Sequence, residues 1–360
     1  MTKNNFSYKW TLKKANFSQD KGKVFSCFSC GGGSSMGYKL AGFDVIGCND
    51  IDPKMMEIYK LNHNPTYSFL EGIQTFKEKK SLPEELYNLD ILDGSPPCSS
   101  FSMAGNREKD WGKEKKFREG QSEQVLDTLF FDFIDLAKRL QPKIVIAENV
   151  KGLMLGSAKS YVRKIYKEFK KAGYNVQHWL LDAANMGVPQ HRERVFFIAL
   201  RDDLCEPYLY QKDFFTQAPY LNLKFKEPKI PFGEFEEGTG VERESVISEK
   251  RLYYWENADE KYNHYDKRTK GGDLYGFIKR CFPKNILPTI VATTGTSFNH
   301  FEVPLRLTKN ELCYAGSFPT DYNFGENDYQ YIIGMSVPPI MVAQIAQEIY
   351  KQWNNIFTKN

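Results

Sequence analysis

The chain has 360 residues, of which 41% are hydrophobic and 26% charged, and its formal net charge is +4. That composition supports a packed core, and the length suggests two domains at about 150 residues each. No stretch approaches the roughly 18 consecutive apolar residues of a membrane span, the first twenty residues lack an apolar export signal, and a charge this small does not by itself name a polyanionic partner.

Residues 23 to 200 read as alternating strands and helices. "KVFSCFSC" is a short strand that runs into a glycine turn, and "SMGYKLAG" has helical spacing, with Met36, Leu40 and Phe43 on one side. "FDVIGCND" is a second strand, and "PKMMEIYKLNH" a helix that opens on proline. "LDILDGSPP" is a strand halted by Gly-Ser-Pro-Pro, and "EQVLDTLFFDFIDLAKRLQP" a long amphipathic helix ended by Pro142. "KIVIAENV" is a continuous apolar strand of the kind buried in a parallel sheet. "SYVRKIYKEFKKAGY" is a helix closed by Gly173, and "NVQHWLLDAANMGVPQ" and "RERVFFIALR" give two further strands. This alternation predicts an α/β fold with a doubly wound, mostly parallel sheet. Residues 202 to 285 show little periodicity and form a second, irregular region; apolar patterning returns at "LPTIVATT" and ends in the helix "VPPIMVAQIAQEIYKQW".

The seven cysteines are Cys27, Cys30, Cys48, Cys98, Cys205, Cys281 and Cys313, and without an export signal they are expected to be free thiols. Cys27 and Cys30 form a C-x-x-C, but no second such pair or histidine pair follows at zinc spacing, so no metal site is expected.

Four motifs carry chemistry. The turn "CGGGSSMG" joins a strand to a helix N-terminus, where a ligand can approach the backbone, and Asp50 closes the next strand at a place suited to ribose hydroxyls. A nucleoside-containing cofactor follows from that pair, although a tight turn in any α/β protein would have the same glycines. In "GSPPCSSFS" two prolines stiffen the approach to Cys98, which suits a nucleophile more than a core thiol. Glu148 follows the apolar run of "KIVIAENV", where poor solvation favours the protonated, donor form of a carboxyl. In "QHRERVFFIAL" the residues Gln190, Arg192 and Arg194 alternate and so point to one side, as for recognition of an anion or a carbonyl oxygen; a structural salt bridge is the plainer alternative.

In their order, PPC-x-x-FS, ENV, Q-x-R-x-R and a late G-x-SVPP resemble the cytosine carbon-5 DNA methyltransferases of bacterial and phage restriction-modification systems, over about residues 23 to 350. The resemblance implies a Rossmann-like S-adenosylmethionine-dependent domain over 1–201 and 332–360. It implies a target-recognition domain over 202–331, with 202–285 its variable part. It implies catalytic roles for Cys98, Glu148, Arg192 and Arg194, with Gln190 ordering the site. Cofactor contacts carry over to Phe28, Gly33, Asp50, Ile51, Ile73, Pro97, Leu129, Ser336 and Val337. Ser102, Arg107 and Lys109 would reach phosphates from the loop after the nucleophile. It further implies a monomer in the cytoplasm, associated with the nucleoid, whose partners are duplex DNA and a restriction endonuclease of the same site.

The chain departs from the family pattern at Ser26, Cys30, Gly72, Ser99, Asn310 and Met335, with Glu71 standing beside Gly72. Three other readings compete. A tRNA-directed member of the family would carry Cys-Phe-Thr, of which "CFP" at 281–283 has two residues. An inactive DNA-binding regulator would not need Cys98, Glu148, Arg192 and Arg194 intact. A nicotinamide-dependent enzyme would need a better G-x-G-x-x-G.

Overall fold

The computed structural model describes residues 4–97, 128–155, 158–211, 217–244, 248–261, 278–293 and 297–357. By internal contacts the chain divides into two units. One comprises Asn16–Leu181, Glu193–Lys224 and Val342–Asn360; the other comprises Met1–Ala15, Asp182–Arg192 and Phe225–Met341.

The first unit is built on a seven-stranded sheet. Its strands are β1 (Lys23–Cys27), β2 (Asp44–Asp50), β3 (Tyr67–Leu70), β4 (Ile91–Gly94), β5 (Ile144–Val150), β6 (Tyr174–Asp182) and β7 (Glu193–Arg201). Their order is β3-β2-β1-β4-β5-β7-β6. The pairs β1–β2, β2–β3, β1–β4 and β4–β5 are parallel, and β7 runs antiparallel to β5. The sheet is therefore doubly wound and mostly parallel, as the alternation of elements predicts. The order reverses between β1 and β4, and in such sheets ligands bind beyond the carboxyl ends of the strands at that reversal.

The helices α1 (Gly33–Leu40), α2 (Pro53–His63), α3 (Ile73–Lys77), α4 (Leu129–Leu140) and α5 (Lys159–Lys171) belong to this unit, as does most of the chain's last helix from Val342 onward. Each reflects its sequence. Asp52 caps α2 by accepting from the N–H groups of Lys54 and Met55, with Pro53 in the first turn. On α4 the residues Phe130, Phe133, Ile134, Ala137 and Leu140 face inward, while Asp132 and Asp135 each sit 2.9 Å from Lys77. Phe25 and Cys27 of β1, Val145 and Ala147 of β5 and Ile165 and Phe169 of α5 share one core with them. Burial on both faces explains why β5 reads as an unbroken apolar run.

Two elements were not evident in the sequence, β3 and the one-turn helix α3. The segment from Asn175 to Gln190 is shorter as a strand than its apolar pattern predicts. β6 ends at Asp182, whose carboxylate accepts from the N–H groups of Ala184 and Arg192 and so draws the chain out of the ladder into a 3-10 turn. A small antiparallel pair, β8 (Leu209–Gln211) with β9 (Gln217–Pro219), follows the sheet.

The second unit is less regular. It holds α6 (Glu249–Glu256), a parallel pair β10 (Lys279–Cys281) and β11 (Phe298–His300), α7 (Lys309–Ala315) and α8 (Tyr329–Met335). Thr308 and Glu311 form a reciprocal cap on α7. Glu311 also meets Arg243, whose side chain is buried, in a two-pronged ion pair, at 2.6 and 2.8 Å. The last helix, α9, spans Pro339–Gln352. The stretch Tyr329–Gln352 has the length and apolar composition of a membrane span, but 83% of its most apolar window is buried inside the protein, which is the signature of core helices.

Candidate active site

The end of β1 turns sharply. Phe28, Cys30 and Gly32 all take left-handed backbone angles, with φ of 51°, 48° and 86°. Only glycine does so without steric cost, so the turn holds Phe28 and Cys30 against their preference. Hydrogen bonds fix it, among them Gly32 N–H to the Ser29 carbonyl at 2.9 Å, Cys30 N–H to Asp50 Oδ2 at 2.7 Å and Ser29 N–H to the Asn49 carbonyl at 3.3 Å. The other oxygen of Asp50 accepts from Asp52 N–H at 2.8 Å. The carboxylate that ends β2 is thus aimed by the turn that follows β1. α1 then starts at Gly33 with no side-chain cap on its first N–H groups. An uncapped helix N-terminus beside an oriented carboxylate fits a cofactor carrying both an anionic group and ribose hydroxyls.

The remaining cofactor candidates of this unit divide. Phe28 is half-buried, its ring edge-on to Phe133 at 6.3 Å, and Ile51 is likewise partly exposed. Ile73 and Leu129 are packed in the core. Glu71, beside Gly72, directs its carboxylate to Lys79 at 2.8 Å. Cys30 Sγ lies 3.6 Å from the Met55 sulfur.

β4 and β5 run parallel, Gly94 opposite Ala147, and both carry acids at their ends. Glu148 is 8% exposed and receives Arg194 Nε at 2.9 Å. The two residues are diagonal neighbours across the β5–β7 ladder, where Val150 faces Arg194 and Glu148 faces Phe196. Burial lowers the basicity of the Arg194 guanidinium, and the Glu148 carboxylate acts against that. Arg194 Nη1 donates to the Glu193 carbonyl at 2.9 Å.

Two residues that the sequence reading passed over complete this end of the sheet. Asn149 is buried, and its amide donates to the Pro96 carbonyl at 3.0 Å, which ties β5 to the stiff segment leading toward Cys98. Asp93 is 3% exposed and accepts from Ser26 Oγ at 2.8 Å and from the Tyr38 hydroxyl at 3.0 Å. Burial raises its pKa to about 6. The sequence signals were the Asn next to Glu148 and a carboxyl inside the apolar "ILDG". Pro97 is described and partly exposed, whereas Cys98, Ser102, Arg107 and Lys109 lie outside the described residues.

Four candidates belong to the other unit. Gln190 donates to the Ala315 carbonyl at 2.7 Å and accepts from Ile290 N–H at 3.2 Å. Arg192 donates to the carbonyls of Ile290 and Gly334 at 3.0 and 2.9 Å. Gly334 has to be glycine, because a Cβ there would lie 2.5 Å from the carbonyl carbon of Val291. Ser336 Oγ donates to the Ile332 carbonyl at 2.8 Å, and Val337 is buried. Arg192 and Arg194 therefore do different work: the first holds main chain, the second meets a carboxylate.

The family model described as C-5 cytosine-specific DNA methylase matches residues 22–351. Type II methyltransferase M.DdeI of Desulfomicrobium norvegicum is 28% identical over 388 residues, covering 92% of this chain and 89% of that protein. Type II methyltransferase M.FnuDI of Fusobacterium nucleatum is 38% identical over 184 residues, 51% of this chain and 48% of that protein. Among solved structures, a putative DNA modification methyltransferase encoded within an E. coli prophage superposes with a TM-score of 0.63 at 19% identity. It covers 92% of this chain and 99% of that one, a likeness of fold.

Proposed function

The chain belongs to the C-5 cytosine-specific DNA methylase family, and from that premise we propose that it transfers a methyl group from S-adenosylmethionine to carbon 5 of a cytosine in one short duplex DNA sequence. The cofactor, when bound, supplies an electrophilic methyl group on a sulfonium. The uncapped start of α1 holds its carboxylate and Asp50 its ribose, with Phe28, Gly33, Ile51 and Pro97 lining that end of the sheet and Ser336 and Val337 contributing from the last segment. Ile73 and Leu129 support these contacts from the core.

Carbon 5 of cytosine is a poor nucleophile and is inaccessible in a stacked duplex, so the base is flipped out before reaction. The Cys98 thiolate adds to carbon 6, and Glu148 donates a hydrogen bond or proton to ring nitrogen 3 as charge develops there. The enamine so formed carries the electrons to carbon 5, which takes the methyl group. Loss of the carbon-5 proton and expulsion of Cys98 restore the aromatic ring. Arg194 holds the 2-oxo group and keeps Glu148 oriented. Arg192 and Gln190 order the backbone around Ile290, Ala315 and Gly334. Ser102, Arg107 and Lys109 contact phosphates, and the irregular region after residue 202 reads base edges. The enzyme acts as a monomer in the cytoplasm, at sites shared with a restriction endonuclease.

The observation that carries this reading is the buried Glu148–Arg194 pair, beside a strand whose exit toward Cys98 is clamped by Asn149. Purified protein is expected to transfer labelled methyl groups to duplex DNA, and Cys98→Ala to abolish transfer. Duplex carrying 5-fluorocytosine is expected to trap a covalent adduct on Cys98, because the final elimination is blocked. Transfer to tRNA alone, or activity without the adduct, refutes the reading.

A further inference from the structure

The mechanism leaves one buried acid unused. Asp93 and Ser26 are direct partners across the β1–β4 ladder, at the point where the sheet order reverses. Among the described residues the Asp93 carboxyl is held by neutral donors: the hydroxyls of Ser26, of Tyr38 on α1, and of Ser34 in the first turn of α1. Among the described residues no Lys, Arg or His pairs with it. The titratable groups facing it are Cys27 on β1, Tyr38 on α1 and Glu148 on β5. Burial pushes Cys27 and Tyr38 well above their ordinary values, so both stay neutral, and Glu148 already has Arg194.

Hydroxyl groups orient a carboxylate but supply no net charge, and the α1 N-terminus supplies only a partial one. Among the described residues Asp93 is thus a negative charge without a cationic partner, and it is hydrogen-bonded to Ser34, the residue after Gly33 at the start of α1. The methyl donor of the proposed reaction carries a positive sulfonium; its product, S-adenosylhomocysteine, has a neutral thioether there. We infer that Asp93 is the counter-charge by which this site holds the cationic donor in preference to the neutral product, an inference that rests on the cofactor proposed above. A carboxylate acting through a medium of low effective dielectric discriminates a cation from its neutral analogue without touching it. This relieves product inhibition, because donor binding is strengthened and product binding is not.

The test is calorimetric binding of S-adenosylmethionine and S-adenosylhomocysteine to the full chain at pH 7 and pH 5. The ratio of the two affinities cancels everything the ligands share and leaves the sulfonium charge. In Asp93→Asn the ratio is expected to fall by about fivefold at pH 7. In the unmodified protein it is expected to fall by a similar factor from pH 7 to pH 5, as the carboxyl takes up a proton near pH 6. The pH arm needs no variant, so it decides the matter even if Asp93→Asn fails to fold. Glu148→Gln should keep the pH dependence. Equal weakening of both ligands in Asp93→Asn marks a merely structural pin and overturns the inference. So does a ratio that is flat with pH, or a pH dependence lost in Glu148→Gln. Failure of the unmodified protein to bind either ligand overturns the cofactor proposal itself, a result distinct from the others.

Discussion

Glu148 and Arg194 stand 2.9 Å apart with side chains 11% and 16% exposed, so each is the other's substitute for water. Removing one partner strands the other: Arg194→Ala is expected to cost roughly 3–5 kcal/mol of stability, read by urea unfolding. Glu148→Gln keeps the shape and loses the acid; its methyl-transfer rate should fall by about 10²–10⁴-fold while cofactor affinity holds. Asn149→Ala releases the Pro96 carbonyl and should lower kcat by about tenfold or more with cofactor affinity again unchanged, which single-turnover kinetics would show. The sequence revealed Glu148 because an acid after an apolar strand is conspicuous. It did not reveal Asn149 or Asp93, since their meaning lies in which atoms meet across strands, and adjacency in the chain does not encode that. Arg192 and Arg194 look alike as alternating letters and part company only once their partners, a pair of carbonyls and a carboxylate, are seen.

At the scale of elements, periodicity located five helices and most of the sheet, because burial on one or both faces writes itself into the apolar pattern. Where it failed, side chains had replaced the ladder. β6 stops where Asp182 captures main-chain N–H groups. The packing of α4 against β4 is close enough to test. A Cβ on Gly94 would lie 2.6 Å from the Phe133 ring, so Gly94→Ala should cost about 1–3 kcal/mol and loosen the exit of β4 toward Cys98. Thermal unfolding measures the first effect and the rate of fluorocytosine trapping the second.

For the molecule as a whole, Asp93 makes an unusual contribution to the dependence of stability on pH. Its folded pKa of about 6 lies above the ordinary 3.8, so the native state takes up the proton first as pH falls. The carboxyl therefore destabilises the fold above pH 6, and that penalty is relieved progressively between pH 6 and about pH 4, by about 3 kcal/mol. Paired carboxylates elsewhere act in the opposite sense, so the informative quantity is the stability difference between the unmodified protein and Asp93→Asn. The variant should be the more stable at pH 7, and the advantage should shrink by pH 4. A protein that keeps a costly acid where an amide would fit is one in which function outweighs stability at that point.

The unit that carries the sheet is assembled from three stretches of chain, and the last begins at Val342. That stretch is not an ornament: Tyr350 and Phe357 pack on Phe43, the Trp353 indole donates to the Tyr220 carbonyl, and Lys143 reaches the Ile356 carbonyl. During synthesis these partners leave the ribosome after the rest of this unit. A nascent chain can form strands and helices early, but it cannot close this core until residues near 357 have emerged, long after Cys98 has been made. Chains cut short before Val342 should therefore fail to close this core, and limited proteolysis of such a truncated protein would show it.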